Sequence, residues 1–147
     1  MEIKAKLIKP YTENERINFI VEQNHRLGYE IRETETALEA WGYTTEELEQ
    51  QEKTRIAQLS MTGADVERAI YQAKGIDFED ILTLVKNQEN SEQTSNIDLK
   101  ALKIELKANN FYRGNPYVNQ IGELLGFTSE QLDQFFETKN WQTLVNA

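Results

Sequence analysis

Cysteine is absent from the 147 residues, and histidine occurs once. Without cysteine the chain forms no disulfide and offers no thiolate for nucleophilic attack or metal binding, which fits a reducing compartment. No apolar run approaches the length that a membrane span requires, and residues 1–6 lead into no apolar segment typical of a signal peptide. We therefore expect a soluble, cytoplasmic protein with no membrane partner.

Basic residues are in deficit, with 16 Lys and Arg against 25 Asp and Glu, for a formal net charge of −9. Such a charge disfavours partners that are held by phosphate neutralisation, namely nucleic acid and anionic membrane surfaces. The acidity is concentrated in residues 44–95, which carry 11 acidic and 5 basic side chains. A charge excess on predicted helices is typical of solvated helix faces.

Motifs for catalysis and for cofactor binding are also missing. No glycine-rich phosphate loop is present, and His25 has no second histidine, cysteine or spaced carboxylate set with which to hold a metal. A position late in a helix explains this histidine without a function. We therefore expect no enzymatic activity, no cofactor and no metal site.

The N-terminal part of the chain predicts strands and one helix. Apolar residues alternate with lysines over residues 2–9, which predicts a half-buried strand. A capping-box pattern at Thr12 begins a helix that Gly28 ends. Residues 29–33 and 37–42 fit a pair of strands, although the second also fits a helical turn. We favour the strand pair because it completes a small sheet covered by the helix.

The central part predicts helices. Thr44 begins a charged helix with a thin apolar stripe, and a helix this polar is often solvated and connects two units. Thr62 begins a second helix that ends at Gly75, and Asp77 begins a third. Because the apolar faces of the last two helices match, we predict an αα-hairpin there.

Residues 87–96 are polar and almost devoid of apolar side chains, which is typical of a flexible linker. The segment 97–108 that follows is rich in Leu, Lys, Ala and Glu, and this composition favours a helix. The alternation of Leu102, Ile104 and Leu106 leaves a strand possible.

Residues 109–139 have the spacing of a helix-turn-helix. Gly122 would let two helices approach, Gly126 would make the turn, and Leu132 would contact the first helix from the second. A recognition helix meets phosphates and base edges mostly with Arg, Lys, Asn or Gln, whereas residues 129–137 include three carboxylates and no basic residue. We therefore favour a helix pair whose purpose is structural.

The loop before this pair is the most distinctive local cluster, because it combines aromatic residues with an arginine. Such a composition is common at interaction hot spots. The residues that we expect to contact a partner are Phe111, Tyr112, Arg113, Asn115 and Tyr117. The alternative is a helix connection in which Phe111 and Tyr112 pack inward and Arg113 pairs with a carboxylate.

Three segments carry a resemblance to a known group of proteins. These are RIAQLSMTGADVERAIYQAKGI (Arg55–Ile76), the stretch Asn109–Leu144 and the N-terminal stretch Lys9–Tyr43. Together they resemble small uncharacterised bacteriophage or prophage proteins that are encoded near tail and tail-fibre genes. The resemblance implies a genomic context and no mechanism. It also implies the cytoplasm of a bacterial host, with association with the virion as a further possibility.

Taken together, these observations predict a mainly α protein, α+β overall, with helical hairpins and a bundle. The predicted parts are a small α+β N-terminal unit (residues 1–43), a helical connector with the αα-hairpin (44–86), a flexible linker (87–96) and a C-terminal helical unit (97–147). The function that we expect is contact with other phage structural or assembly proteins, as a tail component or an assembly factor for tails or fibres. The alternative is a phage-encoded DNA-binding regulator that uses the helix pair at residues 116–137.

Overall fold

A computed structural model describes residues 1–87 and 97–145 of the chain. Its helices and short antiparallel strands make an α+β protein that is mainly helical, as the sequence predicts. The predicted linker lies outside the described residues apart from Asn87, the last residue of a helix. The chain forms two compact units, which we call unit 1, Met1–Glu52, and unit 2, Lys53–Ala147. This division falls within a helix, whereas the sequence placed a boundary at residue 43.

Unit 1 contains the predicted three-stranded sheet and its helix. Strand β1, Glu2–Ile8, pairs antiparallel with β3, Ala37–Gly42, which also pairs antiparallel with β2, Glu30–Glu33, so the order is β1-β3-β2. Helix α1, Glu13–Ile20, continues into a π-helical segment, and Gly28 then adopts a left-handed φ of 76°. The strand pair favoured over residues 29–42 is therefore confirmed. The elements of this unit are β1 Glu2–Ile8, α1 Glu13–Ile20, the π-helical segment Val21–Arg26, β2 Glu30–Glu33 and β3 Ala37–Gly42.

The helix starts of unit 1 follow the capping patterns. The Thr12 hydroxyl accepts a hydrogen bond from the backbone N–H of Glu15 at 3.1 Å, and the Thr44 hydroxyl accepts one from the N–H of Glu47 at 3.1 Å. The second cap begins α2, Thr45–Ala57, a charged helix with no buried residue. These side chains satisfy N–H groups that a helix start leaves without a backbone partner.

Unit 2 is built from five helices and a two-stranded sheet within the described residues. Its elements are β4 Ser60–Thr62, α3 Gly63–Lys74, α4 Phe78–Asn87, α5 Leu99–Glu105, β5 Asn110–Tyr112, α6 Pro116–Leu125, α7 Ser129–Thr138 and a C-terminal 3-10 turn Trp141–Leu144. The predicted helices are confirmed, including the helix favoured over a strand after residue 97. The β4–β5 pair was not predicted.

Helices α3 and α4 begin and end where the sequence places them. Thr62 caps the first, Gly75 stops it with a φ of 74°, and Asp77 accepts a hydrogen bond from the N–H of Asp80 at 2.9 Å. Helix α3 also packs against the C-terminal turn, and α4 packs against α5.

The core of unit 2 is one continuous apolar cluster to which all five helices and both strands contribute. Its aromatic contacts are edge-to-face: Phe78 and Phe111 have ring centroids 6.0 Å apart, and Phe135 and Phe136 have centroids 5.6 Å apart. This geometry is the preferred one for aromatic pairs. An apolar void of about 30 Å³ lies in this cluster. It has room for about one water molecule, so it is a gap in the core and not a substrate pocket.

Candidate functional site: the 111–117 loop and the α6–α7 pair

The loop that the sequence singled out begins as strand β5. Its three residues pair with β4 in the register Ser60↔Tyr112, Met61↔Phe111 and Thr62↔Asn110. Because successive side chains of a strand point to opposite faces, Phe111 and its neighbour Tyr112 have opposite environments. Phe111 is 2% exposed in the core, and Tyr112 is 56% exposed.

The pairing continues past the strand and fixes the path of the loop. The backbone N–H of Arg113 donates to the carbonyl of Leu59 at 2.8 Å, and that of Gly114 donates to the carbonyl of Ala57 at 3.0 Å. A Cβ added at Gly114 would lie 3.0 Å from the Cβ of Ala57. The glycine therefore permits the close approach of the two chain segments.

Arg113 is 6% exposed, and its guanidinium is divided among three acceptor groups. Nε donates to Oδ1 of Asp133 at 2.7 Å, and Nη1 donates to Oδ1 of Asn119 at 2.7 Å. Nη2 donates to the hydroxyl of Ser129 at 3.0 Å, with a longer contact of 3.4 Å to the carbonyl of the same residue. The arginine thus joins the loop to α6 and to the first two turns of α7. We call these four side chains the Arg113 cluster.

Asn115 and Tyr117 also have structural roles. The side-chain oxygen of Asn115 caps α6 by accepting from the N–H of Tyr117 at 2.9 Å, and its amide nitrogen donates to Glu105 at 3.2 Å. The Tyr117 ring is half-buried against the core.

Two of the five predicted contact residues, Phe111 and Arg113, are buried and do not lie at the surface. The contact with a partner stays a prediction. The alternative interpretation is correct for both: Phe111 packs inward and Arg113 pairs with a carboxylate. It is wrong for Tyr112, which the alternation of the strand turns outward. Among the five, Tyr112 remains the one with most of its side chain open to solvent.

Helices α6 and α7 form the tight pair that the spacing predicts. A Cβ added at Gly122 would lie 2.6 Å from Cδ1 of Leu132, and Gly126 adopts a left-handed φ of 79° at the turn. Thr128 and Gln131 form a complete capping box at the start of α7. The pair is close and its turn is made at Gly126, and α7 carries the carboxylates that oppose a DNA-binding role.

Several titratable groups of unit 1 have displaced pKa values. A hydrogen bond from the Tyr11 hydroxyl to Glu33, 2.6 Å long, lowers the pKa of Glu33 and raises the pKa of Tyr11. Arg26 lowers the pKa of Glu22, and the N-terminal ammonium lowers that of Glu47. These are surface pairs, and they do not converge on a pocket. Each has the effect expected of an exposed ion pair or hydrogen bond.

His25 lies exposed in the π-helical segment. Within residues 1–87 and 97–145, no group of three or more His, Cys, Asp or Glu side chains is placed to hold a metal ion. None of the helices in the same ranges has the length and the apolar character that crossing a bilayer requires.

Comparison of the chain with protein-family profiles, with curated proteins and with solved structures finds no match.

Proposed function

We propose that this chain is a non-enzymatic protein of the phage or prophage type that acts through contact with other proteins. It would serve as a tail component or as an assembly factor for tails or fibres. The resemblance of three sequence segments to proteins encoded near tail genes supports the phage context. The distribution of exposed apolar side chains supports the contact function.

That distribution is the observation that carries the proposal. Within the described residues, unit 1 buries three apolar side chains, Ala37, Leu38 and Ala40, whereas unit 2 buries sixteen. Unit 1 nevertheless holds eight of the twelve large apolar side chains that are exposed, namely Met1, Ile3, Ile8, Ile17, Val21, Leu27, Tyr43 and Leu48. Single exposed apolar residues are normal, but such an excess beside so small a core is typical of an interaction surface.

Helix α1 shows the pattern most clearly. Phe19 and Ile20 are half-buried. Ile17 in α1 and Val21, the first residue of the π-helical segment that continues it, are one turn apart and are 47% and 48% exposed. Residues four apart are neighbours on a helix surface, so these two side chains form one apolar ridge. Burying each of them in a complex would contribute on the order of 1–2 kcal/mol.

Co-expression with the products of the neighbouring genes tests this function. The unmodified chain should co-purify with one of them, and the double variant Ile17→Lys/Val21→Lys should not. The matched control is Asn14→Lys/Asn18→Lys, which adds the same charge at exposed positions of the same helix. A chain that purifies alone with every neighbouring product would refute the proposal, as would a partner that both double variants retain equally.

The alternative, a regulator that binds DNA through α6 and α7, receives less support. Helix α7 carries Glu130, Asp133 and Glu137, and the arginine nearest to it in the loop, Arg113, is buried against one of these carboxylates. A surface of this charge repels the phosphate backbone.

A further inference from the structure

A groove of about 250 Å³ lies between α3 and the end of the chain that follows α7. One wall is a face of α3 on which Asp65, Arg68 and Gln72 recur at helical spacing. The other wall is formed by Lys139 and Trp141, and the buried residues Met61 and Ala69 form the floor. We call this feature the α3 groove, and all of its residues belong to unit 2.

The α3 groove is rich in hydrogen-bond donors. Within residues 1–87 and 97–145, Lys139 has no acidic partner, and the indole N–H of Trp141 and the amide of Gln72 have no hydrogen-bond partner in the protein, so solvent meets all three. Arg68 uses one nitrogen, at 3.0 Å from Oδ1 of Asp65, in a pair whose side chains are 67% and 51% exposed. An ion pair this open to solvent is weak, so most of the guanidinium stays available.

The charges in the groove differ in sign from the charge of the whole molecule. Arg68 and Lys139 outnumber the single carboxylate of Asp65, in a chain whose formal net charge is −9. Cations and N–H donors in excess can bind a carboxylate of a ligand. The apolar floor beside the Trp141 indole can contact an apolar side chain next to that carboxylate. A long polyanion matches poorly, because the rest of the molecule repels it.

Lys139 also occupies a backbone position that suits another residue better. It ends α7 with a left-handed φ of 59°, and its N–H donates to the carbonyl of Phe135 at 2.7 Å. Glycine or asparagine takes this conformation at lower cost than lysine. A substitution by glycine therefore removes the ammonium group without weakening the helix end, which separates a binding role from a structural one.

We propose that the α3 groove binds an acidic peptide segment of a partner protein. Arg68 and Lys139 hold a carboxylate of that segment, and Trp141 with Met61 receives a neighbouring apolar side chain. The inference rests on the proposed contact function and specifies the chemistry of one partner segment. It shares no residue with the apolar ridge of Ile17 and Val21, so the two sets of residues can be varied independently.

A binding measurement with the full chain tests the proposal. The probe is a fluorescein-labelled peptide that contains glutamates and one phenylalanine, and its binding is followed by fluorescence anisotropy. The control peptide has glutamine in place of every glutamate. Arg68→Ala and Lys139→Gly should each weaken binding of the acidic peptide by about five- to tenfold, and added salt should weaken it further. Lys100→Ala, an exposed lysine on α5 outside the groove, should leave binding unchanged.

Thermal unfolding accompanies each titration, and Lys139→Gly should unfold at a temperature no lower than the original chain. Weaker binding by a variant of undiminished stability supports the groove as the site. Equal binding of both peptides would overturn the proposal, as would equal binding by the original chain and both groove variants. Inorganic phosphate that displaces the peptide at low millimolar concentration would overturn the assignment to a peptide carboxylate. Failure of peptide binding together with successful co-purification would refute this inference alone and leave the proposed function standing.

Discussion

The Arg113 cluster provides the sharpest test of how unit 2 is held together. The perturbation is Arg113→Lys, which retains the positive charge and much of the aliphatic stem. A lysine ammonium cannot reproduce the fork with which the guanidinium reaches Asp133, Asn119 and Ser129 in separate directions. The variant should therefore fold to the same structure with at least two of these acceptors left without their donor.

The magnitude follows from burial and from the number of lost hydrogen bonds. A hydrogen bond to a charged group contributes roughly 1.5–3 kcal/mol, and an unsatisfied buried partner costs about 1–3 kcal/mol. The Asp133 side chain is 36% exposed, and Asn119 and Ser129 are exposed, so water replaces much of what these acceptors lose. We expect Arg113→Lys to lower the free energy of unfolding by about 1–3 kcal/mol, below the range for a fully buried ion pair that loses one partner.

Urea unfolding measures this quantity if the midpoint moves while the slope stays constant. The control is Arg68→Lys, which makes the same substitution in an exposed Arg–Asp pair and should change stability by less than about 0.5 kcal/mol. A loss below about 0.5 kcal/mol for Arg113→Lys would refute the reasoning, because a cluster that tolerates lysine cannot depend on the guanidinium fork.

Three further predictions concern other parts of the molecule. Gly122→Ala should lower the free energy of unfolding, measured in urea, by about 1–3 kcal/mol, because the added Cβ would lie 2.6 Å from Cδ1 of Leu132. Leu132→Val in the same background should recover part of this loss. A single variant as stable as the original chain would contradict the predicted contact. The hydrogen bond between Tyr11 and Glu33 lowers the pKa of Glu33 and raises that of Tyr11 in the folded state. The stability that it contributes is therefore lost as pH falls from about 4.5 through the folded-state pKa of Glu33. It is also lost as pH rises from about 10 through the folded-state pKa of Tyr11. Thermal unfolding of Tyr11→Phe across pH should show a flatter profile than the original chain, and an identical profile would exclude this hydrogen bond as a source of the pH dependence. Weak phosphate contacts are strongest at low salt, and electrophoresis under that condition should show no shift of double-stranded DNA. A salt-sensitive shift that substitutions in α7 abolish would support the DNA-binding regulator instead.

The ends of helices were predictable from the sequence, because they depend on a side chain or a glycine within a few residues of the backbone groups concerned. The hydroxyls of Thr12, Thr62 and Thr128 cap helices by reaching an N–H three residues on, and such a bond needs no distant part of the chain. Gly75 and Gly126 end helices for an equally local reason, the low cost of a left-handed φ. Strands β1 and β2 were predictable because apolar and charged residues alternate along them, whereas β3 was favoured because it completes a small sheet with them.

Tertiary structure decided the features that depend on distant residues. Strand β5 exists because Phe111 lies opposite Met61, and neither three-residue strand is long enough to show a period in the sequence. That pairing buries Phe111, exposes Tyr112 and brings Arg113 to Asp133, twenty residues further on. The sequence therefore determined where helices begin and end and which side of α7 packs. Only the fold determined which residues of the 111–117 loop remain at the surface, because burial depends on partners that short-range patterns do not specify.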